Sequence, residues 1–421
     1  MQGLAPRHAA AELLHSILQK GMSLEDAFET SCTEGLLKNE PVRERALSRA
    51  ILTTTLRRKG LIDEILRKYL TRPPGGLGSE IIAVALAQIL FMRVATHAAI
   101  SLANESARAD PRSRHLTGLM NAVLRKAIAD KGRISSLETK PGVNAPRWLY
   151  SRWQKTYGSD VAREIAAAHL LEPALDLSVK DQPGVWADRL GAQALPNGSL
   201  RLPTHQGRVD EIDGFADGAW WVQDQAASLP ALLLGDVQGK RVLDLCAAPG
   251  GKTAQLACRG GIVTALDDSS RRMERLNTNI SRLKLSVKTV VADARSFIPD
   301  EPFDAVLLAA PCSATGTLRR HPDIAWHRSE GQIRELAGLQ QEMLAHARQL
   351  VKPGGLIVFS TCSLEPEEGE NHLQALPEGL ALDPIRRDEL FDERLWKAPG
   401  CLRSLPQWGL DGFFAVRLRR Q

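Results

Sequence analysis

From about residue 239 onward, short apolar segments rich in β-branched residues alternate with helical stretches, and this alternation leaves the C-terminal half few folds to choose from. The segments are ArgValLeuAspLeuCys, GlyIleValThrAlaLeuAsp, ValLysThrValValAlaAsp, PheAspAlaValLeuLeuAla and GlyLeuIleValPheSer. A strand covered by helices on both faces is apolar along its whole length, whereas a strand with one wet face alternates. These runs therefore predict a doubly wound, mostly parallel α/β sheet of the Rossmann-like kind. In such sheets ligands bind at the carboxyl ends of the strands.

The polar residues of this half fall at those ends. The first segment runs into a glycine-rich loop, Cys246, Ala247, Ala248, Pro249, Gly250, Gly251 and Lys252. The two glycines let the backbone turn tightly, and the next helix presents its N-terminal amides. The loop matches neither the dinucleotide GxGxxG pattern nor the P-loop spacing. The second segment ends at Asp267, placed to accept from two ribose hydroxyls, and the third at Asp293, placed to meet an adenine amino group. One acid after a strand is usually a helix cap. A glycine-rich loop and two acids at three successive strand ends are far more specific for an adenosyl ligand.

Two further strings, AlaProCysSer at Ala310 to Ser313 and SerThrCysSer at Ser360 to Ser363, follow the fourth and fifth segments. Carbon 5 of a pyrimidine is a poor nucleophile until something adds to carbon 6, and a thiolate can both add there and leave again. Two cysteines downstream of an adenosyl loop thus point to methyl transfer to that carbon. The plainer fate of a cysteine is a small buried thiol.

The first 140 residues look almost wholly helical, with apolar residues at three- and four-residue spacing in stretches such as HisAlaAlaAlaGluLeuLeuHisSerIleLeu and LeuMetAsnAlaValLeuArgLys. They carry 21 Lys and Arg against 14 Asp and Glu, a balance of +7 in a chain whose net charge is +5, so the remainder sums to −2. A basic module beside a near-neutral one suits a polyanionic partner, although solvated helix faces give the same excess. Arg57, Arg58 and Lys59, and Arg112, Arg114, Arg125 and Lys126, are candidate phosphate contacts. LysProGlyValAsnAlaPro at Lys140 to Pro146 reads as a linker into a helix carrying Trp148, Trp153 and Tyr157, whose aromatics either stack on bases or, more simply, pack inward. The Gly- and Pro-rich stretch that follows predicts a small α+β insert, giving expected domains at 1–140, 141–222 and 223–421.

No run of about 18 uncharged apolar residues exists, and the N-terminus lacks the apolar core of a secretion signal, so no membrane partner is expected. The six cysteines are scattered without CxxC pairs, which predicts free thiols in a reducing cytoplasm and no metal site.

AspLeuCysAlaAlaProGlyGlyLysThr, ProCysSerAlaThrGly, ArgArgHisProAsp at Arg319 to Asp323, SerThrCysSerLeuGluProGluGlu and AspGlyPhePhe at Asp411 to Phe414 resemble the RNA cytosine-5 methyltransferases that use S-adenosylmethionine. The helical N-terminus is similar to the NusB-like RNA-binding domain fused to the catalytic domain in the bacterial small-subunit rRNA branch of that family. The resemblance implies a Rossmann-like methyltransferase domain behind an all-α NusB-like domain, acting as a monomer on 16S rRNA or its small-subunit precursor, with no role for DNA. It implies that Cys246 to Lys252, Asp267 and Asp293 cradle S-adenosylmethionine, with Gln223 to Gln225 as the motif just upstream. It implies that Cys362 is the nucleophile and that Cys312 serves product release, the inverse of the cytosine-5 DNA enzymes.

One position departs from the family pattern. Where the family writes AspAlaProCys, this chain reads AlaAlaProCys, with Ala309 at the acid's position. In the family that acid lies beside both cofactor and base, and losing one acid/base group costs roughly 10²- to 10⁴-fold in rate. The alternatives to a working rRNA enzyme are accordingly an RNA-binding or ribosome-assembly factor that has lost catalysis, or a tRNA-directed enzyme of the same chemistry.

Overall fold

The computed structural model describes residues 3–202 and 207–421. The chain divides into two compact units, one formed by residues 3–171 with 318–328 and the other by 172–202 and 207–317 with 329–421.

The first unit is all-helical. Leu4–Lys20, Val42–Arg57 and Gly78–Phe91 form its centre, and their Ala and Leu faces (Ala9, Ala10, Leu14, Ile51, Leu52, Ile82, Leu86) are fully buried. Small alanines let the helices approach closely and the leucines fill the space between them. This compact unit runs to residue 171, where the sequence predicted a boundary near 140. The helices Arg147–Tyr157 and Ser159–Ala168 pack on each other through Leu149, Trp153, Ala162 and Ile165. The Trp153 ring lies 5.3 Å from that of His169, so this aromatic is core and not a base-stacking platform.

ArgArgHisProAsp also belongs to this unit. Asp323 accepts from the Leu24 backbone N–H at 3.0 Å, the Arg57 guanidinium donates to the Arg319 carbonyl at 2.9 Å, and the Trp326 indole donates to the Leu56 carbonyl at 3.0 Å. These bonds spend the first basic cluster internally. Arg58 stacks 4.8 Å over Phe91, and Lys59 pairs with Asp63 and lies over Trp326. The expectation of phosphate contacts at residues 57–59 is therefore corrected: their side chains hold the unit together. Arg112, Arg114, Arg125 and Lys126 are exposed.

The second unit begins with a small sheet of β1 (Leu175–Val179), β2 (Gln193–Ala194), β3 (Leu200–Leu202) and β4 (Trp220–Val222) in the order β2-β3-β1-β4. Arg201 clamps the fully buried Asp176 with two bonds of 2.7 Å and reaches the Gly409 carbonyl, fastening this insert to the main sheet. The main sheet contains β5 (Arg241–Leu245), β6 (Ile262–Asp267), β7 (Lys288–Val291), β8 (Phe303–Ala309), β9 (Val351–Thr361), β10 (Leu380–Leu382), β11 (Trp396–Lys397), β12 (Cys401–Arg403) and β13 (Phe414–Arg420). Its order is β11-β12-β13-β9-β8-β5-β6-β7, with β10 on β13. The five predicted strands are the parallel part, and β13 is antiparallel to β9. Leu243, Leu245, Val306, Leu308, Ile357 and Phe359 bury one face, while Val242, Ala305, Leu307 and Val358 bury the other. Both faces are dry, which is why these strands read as unbroken apolar runs.

Candidate functional site

Three neighbouring strands, β5, β8 and β9, deliver the sequence motifs to one edge. After β5, Cys246 adopts φ 58°, Gly250 φ 101°, and the helix Gly251–Cys258 begins. A Cβ on Gly250 would stand 2.9 Å from Leu276 Cγ in a backbone conformation side chains rarely adopt, so glycine is required there. The Cys246 thiol is pushed up to about 12 by burial and by the neighbouring Asp267 charge, so it is inert. Asp267, at the end of β6, accepts from Ala248 N–H at 3.3 Å and Ser269 N–H at 3.1 Å and pairs with Arg272 at 2.9 Å. Asp293 lies beyond β7, where Ala292 N–H donates to the Asp267 carbonyl. Its carboxylate is gripped by Arg295 and lowered to about 2 by that hydrogen bond. A turn that only glycine makes, followed by acids at two strand ends, fits the adenosyl donor that the loop predicts, with Asp293 sharing its oxygens with Arg295.

Gln223, Asp224 and Gln225 are buried framework. Gln223 accepts from Ser178 Oγ at 2.7 Å and from the Trp221 indole at 3.0 Å, and Asp224 caps the helix Gln225–Leu232 and takes the Asp411 N–H. They position the loop from below, where a Cβ on Gly251 would lie 3.7 Å from the Gln223 amide.

The loops after β8 and β9 bring Cys312 Sγ to 3.4 Å from Cys362 Sγ, across 50 residues of sequence. Both are half-buried. The thiols share one proton position and so titrate as a pair. Cys362 is held below its ordinary value by the hydrogen bond from Cys312 and by the Lys252 ammonium, whereas Cys312, bonded to Cys362 and buried, is driven well above it. Lys252 acts electrostatically on Cys362 while lying 5.7 Å from the Phe413 ring centroid. A cation beside one thiol of a pair makes that thiol the thiolate.

Comparison with known proteins shows the family and the fold. The family model described as 16S rRNA methyltransferase RsmB/F matches residues 231–419, and the NusB family model matches residues 4–129. Ribosomal RNA small subunit methyltransferase B from Xylella fastidiosa is 34% identical over 99% of this chain and 98% of its own, and that from Vibrio cholerae is 34% identical over 99% and 97%. The chain belongs to this methyltransferase family. The solved structure of PH0851 shares its fold, with a TM-score of 0.78 and 24% identity over 99% of both chains. A methyltransferase homologue from Pyrococcus horikoshii reaches 0.55 with 26% identity over 66% of this chain and 95% of its own.

Within this family member, the acid's position is the last residue of β8. Ala309 stands in register with Ser360 of β9, on the sheet face that also carries Leu307, Val358 and Cys362. Ser360 Oγ is buried and has no hydrogen-bond partner among the described residues. Gly316, six residues after Ala310, was not singled out by sequence reasoning. It donates to the Cys362 carbonyl at 3.0 Å and accepts from Gly412 N–H at 2.8 Å, so the two cysteine strings and AspGlyPhePhe meet at one glycine. The glycines of ProCysSerAlaThrGly and AspGlyPhePhe were the available signal.

Proposed function

We propose that this protein methylates carbon 5 of a cytosine in small-subunit rRNA, working as a monomer in the reducing cytoplasm that its free thiols need. The observation that carries the reading is the pair of thiols 3.4 Å apart. Bound S-adenosylmethionine supplies the methyl group, and Cys246 to Lys252, Asp267 and Asp293 are the residues that would hold it. Cys362, as thiolate, adds to carbon 6 and so places electron density on carbon 5. After transfer a base removes the carbon-5 proton, and the Cys362 thiolate departs as the carbon 5–carbon 6 double bond re-forms. Cys312 stands at the attacking sulfur and serves that departure. The cytosine must leave its stack to reach this edge, so an unpaired rRNA segment is the natural substrate.

Substitution of the two cysteines separates these roles. Cys362→Ala should abolish turnover and any covalent complex with 5-fluorocytosine RNA, whereas Cys312→Ala should accumulate a stalled protein–RNA adduct. An adduct that survives Cys362→Ala and is lost in Cys312→Ala would reverse the assignment.

A further inference from the structure

Each catalytic-loop cysteine is followed by a serine, and one buried carboxylate holds both. Glu368, fully buried, lies on the short helical turn Pro366–Glu368 that follows Cys362. Its Oε1 accepts from the Ser313 backbone N–H at 2.7 Å and from Gln340 Nε2 at 3.3 Å. Its Oε2 accepts from the Ser363 hydroxyl at 2.5 Å and from the Ser313 hydroxyl. Gln340 in turn donates to the Pro311 carbonyl at 2.8 Å and faces His372 Nε2 at 2.9 Å, and the Thr361 hydroxyl donates to the Glu368 carbonyl at 2.8 Å.

We propose that Glu368 is the positioning residue that sets the distance between the two reactive thiols. It touches neither sulfur. It ties the residue after Cys312 to the residue after Cys362, and both to the helix Glu330–Leu350, so the two loops move as one body. A salt bridge would fix two side chains equally well. A carboxylate without a cationic partner among the described residues instead gathers four donors from three elements, and burial leaves it no water to turn to. Its cost is electrostatic, because the Glu368 charge raises both thiols and works against Lys252. Keeping a charge that opposes thiolate formation makes sense when geometry is what the site gains from it.

The inference deepens the thiol chemistry proposed above, but its test does not depend on which cysteine attacks. The full-length protein is treated with diamide, and closure of the Cys312–Cys362 disulfide is followed by quenching and mass mapping. The first thiolate adds to the diazo bond, and the second thiol displaces it, leaving the hydrazine. The second step reads how often the sulfurs meet. Glu368→Ala should slow that step at least about tenfold, as expected when two groups lose their mutual orientation, with little change in S-adenosylmethionine affinity. Glu368→Gln should restore it, because the amide oxygen can accept from Ser313 N–H while the amide NH₂ donates to two serine hydroxyls that turn to accept. Removing the charge in Glu368→Gln should also move the acid limb of the pH–rate profile of RNA adduct formation to lower pH. Where Glu368→Ala does not fold, Glu368→Leu carries the same test, since it fills the space and offers no acceptor to the Ser313 N–H or to either hydroxyl. Parent-rate closure in the alanine variant, or in the leucine variant, overturns the proposal. Reversed adduct behaviour in the cysteine variants would overturn the assignment of the nucleophile and leave the clamp standing.

Discussion

Restoring an acid at residue 309 tests how this chain works without one. In Ala309→Asp the carboxylate would stand in register with Ser360, whose buried hydroxyl has no partner among the described residues. A hydrogen bond to a charged acceptor is worth roughly 1.5–3 kcal/mol, which offsets much of the several kcal/mol that burying a carboxylate costs. Stability should therefore change by no more than about 2 kcal/mol. The rate should change more, since one acid/base group is worth roughly 10²- to 10⁴-fold and a newly placed one recovers part of that, about tenfold or more. Single-turnover methylation of saturating RNA, quenched on the millisecond-to-minute scale with labelled methyl donor, measures the step directly. Ala309→Asn should give no such gain, because it offers Ser360 a partner without the charge, and adding Ser360→Ala to Ala309→Asp should erode the gain severalfold. RNA affinity should stay where it is. Equal rates for the parent and the Ala309→Asp variant at full methylation would refute the reasoning and show that another group supplies the acid's role.

Gly316→Ala should disable the site through sterics alone, because its Cβ would lie 2.0 Å from the Gly412 carbonyl oxygen, a backbone atom that cannot swing aside. Two backbone hydrogen bonds link Gly316 to Cys362 and Gly412, so about 2–4 kcal/mol and most of the turnover should be lost; calorimetry and single-turnover assays within error of the parent would contradict this. Neutralising the exposed Arg112, Arg114, Arg125 and Lys126 should reduce the slope of log Kd against log salt for RNA by roughly 3 if each meets a phosphate, and an unchanged slope would make them a merely solvated face. His169, buried among Trp153 and Arg319, is pushed down to about 3 by burial first and by that guanidinium second. Between its ordinary value of 6.5 and about 3 the unfolded chain takes up a proton that the folded chain refuses, so stability falls as pH drops through that window and is unaffected above it. Urea midpoints at pH 7 and pH 5 should therefore draw closer together in His169→Phe; an unchanged gap would remove His169 as the cause.

Much of the catalytic half was legible in the amino-acid order because its signals are local. Five unbroken apolar runs announce strands buried on both faces, and a glycine-rich loop, Asp267, Asp293 and two cysteine strings sit within a few residues of the ends of those runs. Composition and helical spacing likewise marked the N-terminal unit. What those patterns left open was which strand lies beside which. Nothing within fifty residues of Cys312 states that β9 pairs with β8, that β13 enters antiparallel beside β9, or that residues 318–328 pack with the N-terminal helices. The same ignorance made Arg57, Arg58 and Lys59 look like a phosphate site when Arg319, Phe91 and Asp63 were waiting for them.

Residue type and spacing by themselves determined the chemistry available to this protein: two thiols, a basic residue in a glycine-rich loop, and an alanine where the family pattern has an acid. Tertiary structure alone decided that the thiols lie 3.4 Å apart, that Lys252 favours Cys362, and that Glu368 ties both loops together. The reason is physical. Strand formation and tight turns follow from side chains a few residues apart, whereas strand order and the distance between two loops depend on burying apolar surface contributed by the whole chain, a cooperative sum that no local pattern records.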